Sequence, residues 1–346
     1  MHARWSLPSV LSLAVAVARA DPAPFTIDEA AGCLGLSPKQ MAEARGGKIV
    51  SGDFPELTDK ELAIAVAMVV DGPIAEVAEA VRSSSMFELN PNVLSFGDLG
   101  DGDPSAAGFE AVEFTADERS EIRGLLDAEP GSEFNLSMPE IRRFESLRER
   151  LPPNCERDPE CATVVVEEYR GVLLERLRAY HEGGTNAVAP YAREGGETAD
   201  PAQELRTAAQ ACVLLEQRFP ELQRALVEYP RYAVEGVESR FHWVKQRVRG
   251  RPAFVLQHRM LFARPDALLG VERDFYVGHS FNSLLVMGGA LPLENRTMVF
   301  YVNRTSTDQV AGFAKATRHS LGRKHLREQV IEDLERIRAE FESGAE

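Results

Sequence analysis

"YVGHSFNSLL", residues 276–285, contains Gly278-His279-Ser280, the start of the G-x-S-x-G turn that presents a nucleophilic serine in α/β hydrolases. A nucleophile elbow belongs to a sheet of alternating β and α units, whereas an ordinary strand here belongs to an antiparallel sheet. Asn282 stands where the elbow needs a small glycine, and "SLLVMGGALP" carries glycines too soon for a good helix. A triad would have to draw its acid and base from Asp308 with His319 or His325, a few dozen residues on. The stretch reads as strand. Catalysis by Ser280, a serine-dependent hydrolase, is the alternative.

As a strand, alternation puts Phe275, Val277, His279 and Phe281 on one face and Asp274, Tyr276, Ser280 and Asn282 on the other. The more apolar face should point inward. "AFVLQHRMLF" (253–262) behaves alike, with Phe254, Leu256, His258, Met260 and Phe262 on one side. "FHWVKQRV" (241–248) and "RTMVFYVNRT" (296–305) complete a strand-rich zone of about 240–310, with "RGRP" and "PLEN" as turns. Phe254, His258, Met260, Phe275, His279 and Phe281 are candidate pocket residues, and Trp243 and Tyr301 candidate walls. The two histidines are either hydrogen-bonded core residues or a pair orienting a ligand's polar head. No third metal ligand is evident near them, so neither a metal nor a cofactor is expected.

A long helix follows from about Gln309 to Phe341, its stripe running through Leu326, Val330, Leu334, Ile337 and Phe341. "NRTSTDQ" (303–309) supplies caps at the strand-to-helix junction. Residues 26–115 hold a helix ending at Gly46-Gly47, the strands "KIVSGDF" and "ELAIAVAMVV", and the helix "IAEVAEAVR". Between about 115 and 235 the pattern is helical. In "TVVVEEYRGVLLERLRAY" (163–180) Val165, Tyr169, Val172, Leu173 and Leu177 form a core-facing stripe.

"VVDGPIAEVAEAV" (69–81) is similar to the opening of the START-like, or SRPBCC, helix-grip superfamily. There a strand runs through V-D-A-P into a short helix, later strands form a curved antiparallel sheet, and a long C-terminal helix lies across it. Asp71-Gly72-Pro73 matches that turn, with Gly72 where alanine is commoner. The resemblance covers roughly 60–82 and 240–341 and makes 115–235 an insertion. It implies a cavity between sheet and helix that accepts lipids or other apolar molecules.

At the N-terminus, His2 and Arg4 precede an apolar run from Leu7 to Ala18, closed by Ala18-Arg19-Ala20, the pattern of a secretory signal peptide cleaved after Ala20. Removing residues 1–20 takes away Arg4 and Arg19 and no acids, moving the formal charge from −15 to −17. That balance argues against nucleic-acid binding. No later segment is apolar and long enough to span a membrane. Of the four cysteines, Cys155 and Cys161 in "CERDPEC" can close a small disulfide loop in an oxidising compartment. Asp101-Gly102-Asp103 fails as a calcium loop, with Ala106 and Val112 at the sixth and twelfth positions. Lys315, Arg318, Arg323, Lys324 and Arg327 cluster where a transient contact with anionic head groups could form, or simply face water.

The sequence thus predicts an exported α+β protein: a signal peptide at 1–20, then a single domain over 21–346 with an antiparallel helix-grip sheet, a C-terminal cover helix and a helical insertion at about 115–235. Its expected function is to bind or carry an apolar small molecule or lipid without covalent chemistry. The alternatives are the Ser280 hydrolase and a cell-envelope structural or interaction module.

Overall fold

The computed structural model describes residues 25–82, 85–131, 133–264, 266–312 and 315–343; the expected signal peptide, with Ala18 and Ala20, lies outside them. The chain begins with α1 (Ile27–Cys33), α2 (Pro38–Arg45), β1 (Val50–Gly52), β2 (Glu61–Asp71), α3 (Ile74–Arg82), α4 (Ser85–Glu88) and β3 (Val93–Gly100). It then leaves the sheet for α5 (Arg119–Leu126), α6 (Met138–Arg150) and α7 (Pro159–Gly183). A small ladder of β4 (Tyr191–Ala192) and β5 (Thr198–Ala199) leads to α8 (Pro201–Gln210), α9 (Val213–Arg218) and α10 (Pro220–Glu228). It returns through β6 (Val237–Val248), β7 (Arg251–Arg264), β8 (Ala267–Val277), β9 (Ser283–Leu293) and β10 (Arg296–Ser306), and ends in α11 (Lys315–Ser343).

The architecture is α+β. Eight antiparallel strands run in the order β1-β2-β10-β9-β8-β7-β6-β3. Both faces of the sheet are covered, which explains why "ELAIAVAMVV" lacks alternation: Glu61 to Val70 are all buried. Ala65, Ala67, Val69, Leu256, Met287 and Phe300 face a large core shared with α1, α2 and the helices between β3 and β6. Ile64, Val66, Met68, Val70, Leu268 and Ala290 face a second, smaller core closed by α3 and α11. Here α11 lies along β2, while α3 lies over β8 and β9.

Local chemistry sets the element ends. The expected single helix at 25–47 is two, because Gly35 takes φ +66°, and a Cβ there would collide with the Asp53 carbonyl. Thr26 with Glu29 and Ser37 with Gln40 form capping boxes on the two pieces. Gly72, at φ +126°, turns β2 into α3, and its carbonyl accepts from Thr297 Oγ1 at 2.8 Å. The tract 98–108 contains the end of β3 and a short helical turn at Ala106–Phe109. The Cys155–Cys161 disulfide, with a Cα–Cα distance of 5.3 Å, ties the turn before α7 to the helix's first turn, where the cap Asp158 accepts from the Glu160 and Cys161 amides. Cys33 and Cys212 are free thiols. The predicted stripe of α7 is buried, as are Val330 and Leu334 of α11; the Phe341 side chain lies outside the described residues. α11 starts at Lys315, later than expected, because Thr307 caps a separate turn at Asp308–Val310.

Candidate functional site

The structure brings most of the expected pocket residues together, on the face covered by the helices between β3 and β6. Trp243, Phe254, His258, Met260, Phe275 and His279 are buried there. Tyr180 of α7 stacks on Phe275 at 3.9 Å between ring centroids, and Phe241 stacks on His258 at 4.4 Å. Trp243 donates its indole N–H to the Gly108 carbonyl at 2.9 Å. His258 Nδ1 lies 3.1 Å from Arg273 Nη2 and 2.9 Å from Tyr180 Oη, and Nε2 lies 2.8 Å from Ser239 Oγ. A guanidinium only donates, so Nδ1 is the acceptor and Nε2 carries the proton. Burial, with Arg273 beside it, holds His258 well below its usual range and hence neutral. These are packed core contacts. Tyr301 lies on the opposite face, and Phe281 is only half-buried. Phe275 also borders an open groove of about 290 Å³ lined by Arg176, Glu140 and Val188.

The stretch 273–285, expected to run as one strand, is broken. β8 ends at Val277 and β9 begins at Ser283. A bulge pairs Leu256 with Tyr276 but Gln257 with Asp274, so Phe275 is the extra residue and both Phe275 and Tyr276 face the helices. Between the strands, Ser280 takes φ +74°, and its Oγ lies 2.6 Å from His279 Nδ1. His279 Nε2 donates to the Pro252 carbonyl at 3.1 Å, leaving Nδ1 to accept from the serine. Burial pushes this histidine down to about 4, with Arg251 acting in the same sense. A nucleophile also needs amides aimed at an oxyanion. The Gly278, Phe281 and Asn282 amides are committed to the carbonyls of Phe254, His279 and Ser306. The turn is instead tied down: Asn135 Nδ2 donates to the Val277 and Phe281 carbonyls, and Arg193 bridges Asn135, Asn282 and Asp308.

The resemblance implied a cavity between the sheet and the C-terminal helix, but of the residues expected to line it only Tyr301 lies on that face; the side chains beneath α3 and α11 went unread. There Gly270 of β8 and Gly288 of β9 are directly opposed, flanked in the same row by Leu261 and Tyr301. Neither glycine has a positive φ. A Cβ on Gly270 would sit 3.7 Å from Leu261 Cδ1, and one on Gly288 3.8 Å from the Phe300 oxygen, both ordinary contacts. The neighbouring Gly289 differs, since a Cβ there would collide with the Phe300 ring on the other face. Backbone geometry therefore does not require Gly270 or Gly288. Together they make a glycine trough, two directly opposed positions on adjacent strands that carry no side chain. Leu268 and Ala290 pair just beyond one end.

The other end is polar. Glu272 stands one step along β8 from Gly270 on this face, and Asp274 one step further. Asp274 has 0% of its surface exposed, and Oδ1 and Oδ2 both lack a hydrogen-bond partner among the described residues. Its register partner on β7 is Gln257, whose partner on β6 is His242. Gln257 Oε1 and His242 Nδ1 are likewise buried and without a partner. Gln257 Nε2 donates to Glu272 Oε1 at 3.2 Å, and Arg259 Nε lies 3.4 Å from Glu272 Oε2. Burial pushes the Asp274 carboxyl well above its ordinary range; the Glu272 carboxylate adds to this and the Gln257 amide opposes it. Glu272 is raised by burial, against the pull of Arg259. Burial takes His242 down to about 4. Alternation had placed Asp274 on the more polar, outward face; the second helical layer buries that face.

Among the described residues no helix is long and apolar enough to cross a membrane, and no three His, Cys, Asp or Glu side chains are grouped as metal ligands would be. The basic stretch of α11 meets acids: Lys315 pairs with Asp59 at 2.7 Å and Arg323 with Glu56 at 2.8 Å. No protein-family model, curated protein or solved structure matches this chain.

Proposed function

We propose that this is an exported, helix-grip-type protein that binds or carries a small molecule with an apolar body, lodged on the sheet beneath α3 and α11. The observation that carries the reading is the opposed pair Gly270 and Gly288. Glycine inside a strand weakens it by entropy and lost packing, and where the backbone does not demand it, a closely approaching ligand is a physical reason for it. The surroundings suit such a ligand: Leu261 on β7, the Leu268–Ala290 pair and the overlying α3 are apolar, and a few polar groups converge at one end. The strand-to-helix turn at Asp71-Gly72-Pro73, and α11 on the same face as α3, accord with the helix-grip resemblance. Export is supported by the N-terminal sequence pattern alone.

Filling the trough tests the reading. Gly288→Val suits a strand, and its Cβ meets only an ordinary contact with the Phe300 oxygen, so the variant should fold with a stability equal to that of the native protein or about 0.5–1 kcal/mol above it. Titration with the apolar fluorophore N-phenyl-1-naphthylamine should show saturable binding to the native protein and at least tenfold weaker binding to the variant. Equal binding by both, or none by the native protein, would overturn the proposal.

A further inference from the structure

We propose that the ligand of this trough is an organic cation, a protonated amine on an apolar body, whose head group is held by Asp274 with Gln257 beside it. The inference rests on the binding function above and specifies the chemical class of its ligand.

The first ground is the kind of atom left without a partner. Asp274 Oδ1 and Oδ2 and Gln257 Oε1 can only accept when the carboxyl is ionised. Elsewhere among the described residues, the buried side-chain atoms without partners are Ser51 Oγ and the Nε donors of Arg176, Arg273, Arg304 and Arg327. Open carboxylate and amide oxygens are thus gathered in one place, in directly opposed positions of β7 and β8. A neutral His242, next in the row, adds a nitrogen without adding positive charge. A buried polar group with no partner is costly, and a ligand bearing several N–H donors would relieve three such atoms at once.

The second ground is charge. Glu272 stands beside Asp274 on β8, Tyr301 approaches from β10, and Asp333 of α11 acts on Tyr301. Arg259 is engaged with Glu272, and Arg240, which acts on His242, is paired with Asp98. What acts on Asp274 is burial, the Glu272 carboxylate and the Gln257 amide. An ammonium would supply the missing charge, whereas a carboxylate or phosphate head group would add to the repulsion. The trough floored by Gly270 and Gly288 begins next to Glu272, so an apolar tail would run from the head group toward Leu268 and Ala290.

Three probes with the same eight-carbon tail separate this inference from the function it rests on. Octylammonium, octanol and octanoate are titrated calorimetrically at pH 7 into the intact protein and its Asp274→Asn variant, in phosphate and in Tris. Octylammonium should bind the native protein at least tenfold more tightly than octanol, and octanoate more weakly still. Its heat should differ between the buffers as the buried carboxyls release a proton. In Asp274→Asn the ammonium should lose tenfold or more in affinity, and both its advantage over octanol and the buffer dependence should vanish. Octanol or octanoate binding as tightly as the amine would overturn the cation assignment and leave the binding function standing. If neither the octyl probes nor the naphthylamine binds, both fall.

Discussion

A carboxyl group with no exposed surface and no hydrogen-bond partner among the described residues is a liability to the fold, and Asp274 is such a group. Its folded pKa lies above that of the unfolded chain, about 3.9 for an aspartate. Above pH of about 4 the unfolded chain gives up this proton more readily than the folded one, so unfolding is favoured as pH rises toward the folded pKa. Asp274→Asn should therefore be more stable than the native protein at pH 7, by about 1–3 kcal/mol, with the difference closing below about pH 4. Thermal unfolding of ligand-stripped protein across that range measures it. Asn135 sits at the other extreme. Its amide satisfies the carbonyls of Val277, at the end of β8, and of Phe281 in the turn that follows, so Asn135→Ala should destabilise by about 2 kcal/mol, read from urea unfolding. Neither role was legible in the sequence. Asp274 looked like a solvent-facing residue because alternation reports which face is more polar, not whether that face is covered.

Elements were more readable than residues. The stripes of α7 and α11 and the alternation of "AFVLQHRMLF" survive into the structure, while the strand "RTMVFYVNRT" and the strand-turn-helix at 61–82 were readable from their residue types and turn signals. Periodicity failed where the backbone departs from regularity: the bulge at Phe275, the left-handed Ser280 and the break at Gly35. The glycine trough was out of reach for a different reason. Gly270 and Gly288 lie 18 positions apart in the chain and become neighbours only through the β8–β9 register. α11 grips the sheet through few fully buried side chains, Val330 and Leu334 among them. Leu334→Ala should cost about 2–4 kcal/mol locally and speed amide exchange along α11 while leaving α7 protected. Hydrogen–deuterium exchange followed by peptide mass spectrometry distinguishes the two helices.

At the scale of the molecule, one sheet serves two interiors with different characters. On one side, aromatic stacking, buried tyrosines and paired charges such as Arg176 with Glu140, 2.6 Å apart, make a dense core. On the other, a thinner helical layer covers glycines and unmatched oxygens. Stability should thus reside mainly with the first. Replacing Cys155 and Cys161 by alanine, which frees the loop before α7, should cost about 2 kcal/mol in calorimetric unfolding and leave probe affinity unchanged. The full burial of Asp274 has a consequence for timing. A ligand of the kind proposed would reach it only when the helical layer on this face opens, so loading and unloading would proceed at the pace of that opening rather than of diffusion. Cargo would then stay aboard through many encounters with water and leave chiefly where something else pries the roof up.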